Sequence, residues 1–372
     1  MKQINLKQLK ATNDIFVKLN NLRRWTEFSS QSKYNELAKQ AFNCIIAYML
    51  AKTCEHEKKK ICYENFPKIA LGRAFAKVHV YFDTPEHKIH EICELGGKNK
   101  AELDRAAKEI IAEETDNWFA DFLDVNTNTY ETRIYKAATK IATYIELLEQ
   151  QNNSEHKSKI QEIFTDLNKY MDIPGVKEFI NHKSEIFKLL QKISTLRNQN
   201  RWAVHCYSME CSVLGHLFDT AIWAYLIALS NEEDTEETAT KKFFIGIFHD
   251  VAEVWTKDIP SPIKNRIEGF REATELYELK MLETHMYSVV PEYLKKALKS
   301  VMMEDDANKC LKDEMKDADY LSADSECYRS LLCGSRDNYF RDVIVNHKPR
   351  TNNKLYNKMH KHFVKFAKKL KL

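Results

Sequence analysis

The sequence predicts an all-α protein built as a tandem repeat of one helical module, and three observations predict it. Glycine and proline are scarce, 8 and 7 in 372 residues, against ordinary usage of about 7% and 5%. Apolar residues recur at helical spacing over long stretches such as 101–114 and 270–283. Three segments of the first half return in the second half in the same order.

Taken in order, the first is Arg24-Trp25, then Lys39, then AFNCIIAYMLA (41–51). It matches Arg201-Trp202, then His216, then FDTAIWAYLIA (218–228), with 15 residues from Arg to the later position in both copies and an offset of 177. The second sets KIALGRAFAKVHVYFDTP (68–85) against KFFIGIFHDVAEVWTKDIP (242–260) at an offset of 174, with one residue inserted so that Asp83 meets Asp258. The third sets KAATKIATYIE (136–146) against KDADYLSADSE (316–326) at an offset of 180. The expected organisation is a first module over 1–165, a connecting segment over 166–185 and a second module over 186–372. The C-terminal run KMHKHFVKFAKKLKL reads as an amphipathic terminal helix with Phe363, Phe366 and Leu370 inward.

Composition bounds the function. Hydrophobic residues make up 44% of the chain, enough for a sizeable core. Lys plus Arg is 57 and Asp plus Glu is 54, spread along the chain, which argues against a protein that grips nucleic acid by its phosphates. No uninterrupted apolar run reaches the roughly 18 residues of a membrane span, and the start MKQINLKQLK lacks a signal-peptide core. Nine scattered cysteines with no CxxC pair fit reduced thiols, so a cytoplasmic protein is expected. Neither GxGxxG nor GxxxxGK[ST] occurs, which excludes the two commonest phosphate-cradling loops.

The repeat also separates the halves chemically. Where the second copy has His216, His249, Asp250 and Asp319, the first has Lys39, Phe75, Ala76 and Thr139. A lone histidine in an apolar helix is by default a hydrogen-bonded core residue. Two imidazoles and two carboxylates missing as a set instead describe a module that keeps its core and holds no metal. The four side chains offer a mixed nitrogen and oxygen site suited to one divalent ion such as Mn, Fe, Co, Ni or Zn, with positions open for water and substrate. Metal-assisted hydrolysis requires such an open position.

The pattern His216, His249-Asp250, Asp319 resembles the H…HD…D signature of the HD-domain phosphohydrolases. It is most similar to the bacterial 5'-deoxynucleotidase branch, where an Arg-Trp pair precedes the first His and the HD is followed by a Glu and a TGDxPTPxK-like turn. Here these read Arg201-Trp202, Glu253 and TKDIPSPIK (256–264), followed by VPEYL (290–294) and KDADYLSA (316–323). The resemblance covers about 195–345 and implies tandem HD-like domains, the first without metal ligands. It implies that His216, His249, Asp250 and Asp319 bind the metal and that Glu253 and Asp258 serve the attacking water or the nucleotide. It also implies that Arg201 holds the phosphate, that Trp202 packs near the sugar, and that Thr256 and Lys264 of the turn line the substrate site. The chain departs from the family at Gly215, Leu217, Lys257 and around Met209, all in the pocket wall. The implied activity is release of phosphate from nucleoside 5'-monophosphates, deoxyribonucleotides foremost. The alternatives are an HD phosphohydrolase acting on triphosphates or another nucleotide, and a non-catalytic nucleotide sensor or scaffold. Because such enzymes resemble homodimers, the two repeats are expected to form an intrachain pseudo-dimer, open to further oligomerisation.

Overall fold

The computed structural model describes residues 4–26, 32–82, 84, 86–115, 117–124, 129–150, 154–257, 259, 261–303 and 311–370. In the first half the α-helices run α1 Leu6–Asn21, α2 Glu36–His56, α3 Asn65–Ala76, α4 Glu86–Leu95, α5 Lys100–Thr115, α6 Asn117–Ala120, α7 Tyr130–Leu148 and α8 Ser154–Leu167. They continue as α9 Val176–Phe179, α10 Glu185–Ser194, α11 Val213–Ser230, α12 Glu236–Phe248, α13 Glu253–Thr256 and α14 Ser261–Arg266. The last five are α15 Phe270–Leu282, α16 Glu292–Val301, α17 Lys312–Leu332, α18 Asn338–Asn346 and α19 Lys354–Ala367. Among the described residues there is no strand, so the all-α expectation holds.

Side-chain caps set many of the helix starts, because the first N–H groups of a helix lack partners within it. Asn5 and Gln8 form a reciprocal capping box on α1. Asn35 caps α2 and Ser212 caps α11, each accepting from the backbone N–H three residues on. Two isolated antiparallel bridges, Arg23 with Asn35 and Asn200 with Ser212, end on those cap residues. Their ends are separated by the same 177 residues (200 minus 23, 212 minus 35).

The core runs without a break through both halves. α2 packs on α7 and on α11, and α11 packs on α12 and α17. α11 is mostly apolar and buried almost throughout, as a helix enclosed by others is. By length and composition it could cross a membrane, with a mean hydropathy of 1.4 over 18 residues, but 89% of that window is buried within the chain. The join between halves is also polar in places. Asn20 donates to the Glu210 carbonyl at 2.7 Å, Tyr48 to the Ala297 carbonyl at 3.1 Å, and the buried Arg197 lies 3.3 Å from Glu146.

At the C-terminus, α19 buries Phe363 and lays Phe366 and Leu370 against the core, as its spacing predicts. All eight cysteines among the described residues are free thiols.

Candidate metal centre

Three helices converge on one point. His216 sits in the first turn of α11, held there by the Ser212 cap, and its side chain is fully enclosed. His249 and Asp250 follow the end of α12, and Asp319 lies on α17. What brings α12 against α11 is Gly246: a Cβ there would stand 2.6 Å from the Ala221 Cα, so the two backbones touch.

His216 Nε2 is 3.1 Å from Asp319 Oδ1 and 3.9 Å from Asp250 Oδ2. His249 Nε2 is 3.1 Å from Asp250 Oδ2, yet that buried nitrogen makes no hydrogen bond. Ligand atoms of His216, His249 and Asp250 all lie within 4.8 Å of one another. A divalent ion bound at about 2.0–2.2 Å from nitrogen and oxygen ligands needs ligand atoms roughly 3 Å apart. The donor set, two imidazoles and two carboxylates around an unsatisfied Nε2, fits such an ion.

Both imidazoles are oriented from behind, as metal-binding histidines generally are. His249 Nδ1 faces the Gly246 carbonyl at 2.8 Å. His216 Nδ1 faces Glu326 Oε1 at 2.9 Å and Ser322 Oγ at 3.0 Å. Burial and the Arg201 charge oppose a proton on His216, but Glu326 and Asp319 overcome them and push it up to about 9. Burial works against ionisation of Asp250, yet the His249 charge beside it holds it well below the usual carboxylate range. Against the same burial, Lys316 and His216 hold Asp319 down. Glu326 is held at about 2, burial being outweighed by Arg201 and His216. Carboxylates that stay ionised in a buried cluster favour a cation among them.

Glu326, buried behind the cluster, is the residue that motif reading missed. Its Oε2 accepts from Arg201 Nε at 3.0 Å and from Trp202 Nε1 at 2.8 Å, so one buried carboxylate ties the Arg-Trp pair to His216. Trp202 has a left-handed φ of +60°, unusual for a bulky residue and held by that bond and by packing on Tyr339 and Phe340. The first half builds the same anchor. Trp25 has φ +59°, and Trp25 Nε1 and Arg24 Nη2 reach Glu146 Oε2 at 3.0 and 2.9 Å. The signal was present in the sequence, since both copies of the third repeat segment end in this Glu. In place of His216 the first half has the buried Lys39, bonded to Thr143 Oγ1 at 2.9 Å. Burial and the Arg24 charge lower its ammonium to about 7.

The remaining expected residues are less tightly placed. Glu253 opens α13, one helical turn beyond His249, and is buried. Thr256 closes α13 with its hydroxyl on the Lys257 carbonyl, and Lys264 lies on α14. Among the described residues no hydrogen bond or ion pair joins Thr256 or Lys264 to the four clustered side chains. Asp258 lies outside the described residues. Other histidines of the second half also meet partners. His205 stacks on Tyr339 and meets Asp337, His285 stacks on Trp255, and His347 and His360 share the buried carboxylate of Asp324 at 2.6 and 2.7 Å.

Residues 188–370 match the family described as 5'-deoxynucleotidase YfbR-like. The chain is similar to the 5'-deoxynucleotidase of Shewanella oneidensis, 27% identical over 154 residues, which are 40% of this chain and 73% of that protein. It is similar to the 5'-deoxynucleotidase PBPRA2627 of Photobacterium profundum, 26% identical over 42% of this chain and 79% of that protein. The 5'-deoxynucleotidase YfbR of Shigella boydii is 26% identical over 39% of this chain and 73% of its own length. No solved structure matches the chain at the same stringency.

Proposed function

Because residues 188–370 are an HD-type module of the YfbR-like 5'-deoxynucleotidase family, we propose that this chain is a metal-dependent phosphohydrolase releasing phosphate from nucleoside 5'-monophosphates, deoxyribonucleotides foremost. The observation that carries the reading is the convergence of His216, His249, Asp250 and Asp319 on one point. One divalent ion, Mn, Co, Ni, Fe or Zn, would be held by these four side chains and would supply positive charge to the phosphoryl oxygens and acidify a water.

The chain's own groups do the rest. Glu326 and the Gly246 carbonyl occupy the Nδ1 edges of His216 and His249, which turns both Nε2 atoms toward the carboxylates. Glu253, buried one turn past His249, would accept the proton of an attacking water. Arg201 is oriented by the bond of its Nε to Glu326, and the role assigned to it is to hold the phosphate. Trp202 would bound the sugar side, and Asp258, Thr256 and Lys264 belong to the turn assigned to the nucleotide.

The first half is read as a degenerate copy of the same module, 1–165, joined through 166–185 to the catalytic copy at 186–372. Support comes from the paired Arg-Trp-Glu anchors, the paired bridges and the α2–α11 contact, which together suit an intrachain pseudo-dimer. Free thiols agree with the cytoplasmic setting expected from composition.

The test is phosphate release by the full chain, stripped of metal and resupplied with Mn, Co, Ni, Fe, Zn or Mg, over nucleoside mono- and triphosphates, with Asp250→Ala as control. Release from deoxynucleoside monophosphates that is lost in the variant supports the proposal. Release from triphosphates alone moves the activity to another nucleotide, and metal binding without turnover on any nucleotide leaves a sensor or scaffold.

A further inference from the structure

Lys316 stands one helical turn before Asp319 on α17, at the start of the segment 316–326. Its Nζ bonds Asp319 Oδ2 at 2.5 Å, while Asp319 Oδ1 faces His216. The ammonium also lies 5.0 Å over the Tyr320 ring, which holds its stem against the helix. Its side chain is 39% exposed, against 11% for Arg201. Lys316 is therefore a cation at the open edge of the cluster, where Arg201 is enclosed and tied to Glu326.

We infer that Lys316 is a phosphate-binding residue, which turns from Asp319 to a non-bridging oxygen of the substrate's phosphoryl group once a divalent ion engages that carboxylate. This rests on the phosphohydrolase reading above. The argument is electrostatic. A divalent cation drawn to Asp319 takes over the charge that Lys316 neutralises, leaving two cations adjacent and in repulsion. A phosphoryl dianion has oxygens enough to meet both, so anion and metal bind cooperatively through this lysine. Arg201 on the Glu326 side and Lys316 on the Asp319 side then address one phosphate from two directions.

The experiment is equilibrium binding of inorganic phosphate to the full-length chain loaded with Mn²⁺, compared with Lys316→Met, Lys316→Gln and Lys316→Arg, alongside Mn²⁺ titrations without phosphate. The expected result is phosphate binding weakened about ten- to a hundredfold in the Met and Gln variants and partly restored in Arg. Mn²⁺ affinity without phosphate stays equal or tightens, because a neighbouring positive charge is gone. Unchanged phosphate binding overturns the assignment, and so does wild-type protein that binds no phosphate. A loss of Mn²⁺ affinity in the Met variant overturns it too, since the lysine would then act by positioning Asp319. The two readings fail separately. Weakened phosphate binding with no nucleotide turnover in wild type removes the nucleotidase and leaves Lys316, whereas normal turnover with an unmoved KM in the variants removes Lys316 alone.

Discussion

Glu326 holds His216 at 2.9 Å through one carboxylate oxygen and spends the other on Arg201 and Trp202. A single buried acid thereby links His216, 110 residues upstream of it, to Arg201 and Trp202, 125 and 124 residues upstream. Glu326→Gln keeps the shape and one acceptor but removes the charge. It is expected to lower divalent-metal affinity about 10–100-fold, the usual effect of losing a partner behind a metal-binding histidine. Metal titration by calorimetry, with far-UV circular dichroism to verify the helices, reads this directly; unchanged affinity would show that His216 orients itself without Glu326.

Gly246 sets the distance between α11 and α12, and its carbonyl holds His249. In an ordinary helix Gly→Ala adds stability. Here the new methyl would lie 2.6 Å from the Ala221 Cα, so Gly246→Ala should instead destabilise the chain by about 1–3 kcal/mol and shift His249 from Asp250. Urea denaturation and metal titration on the same sample check both consequences. A variant as stable as wild type would mean that the helices separate without resistance.

Lys39 occupies the first half's counterpart of the His216 position, buried, with its ammonium lowered to about 7. Unfolded, this lysine titrates near its ordinary value of 10.5. Between those two values the unfolded chain binds more protons than the folded one, so stability rises with pH across that window. Below about 7 both states carry the proton and the burial cost is present in full. Lys39→Met removes the group, so the stability of wild type relative to the variant should climb by about 1 kcal/mol per pH unit from pH 7 to 9.5. Denaturant melts of both proteins over this range test it, and parallel pH profiles would contradict it.

The two halves share one core, and α2 lies directly on α11. A polypeptide of residues 180–372 would expose the face of α11 that α2 covers, along with Phe244 and Phe248, which pack on Tyr48. Exposed apolar area of that kind associates. Expressed alone, this segment is expected to be insoluble or to pair with itself, which size-exclusion chromatography with light scattering would reveal. A well-behaved monomer with full activity would dismiss the pseudo-dimer.

The sequence by itself determined the helical class, because few glycines and prolines and apolar spacing near 3.6 leave little else to form. It also singled out the four side chains that meet, since ligand-type residues stood out at His216, His249, Asp250 and Asp319 against Lys39, Phe75, Ala76 and Thr139. Tertiary structure decided what lies behind and beside them. Lys316 reads as an ordinary charged residue, and Glu326 only as the shared last residue of a repeated segment, until α17 is packed on α11, where one becomes an edge cation and the other a buried hub. The partners of His205, His347 and His360 were equally hidden, because their carboxylates come from distant turns of chain. Periodicity reports which face of a helix is buried; which charges meet across that face depends on the rotation and close approach of the helices, here set by contacts such as Gly246 on Ala221.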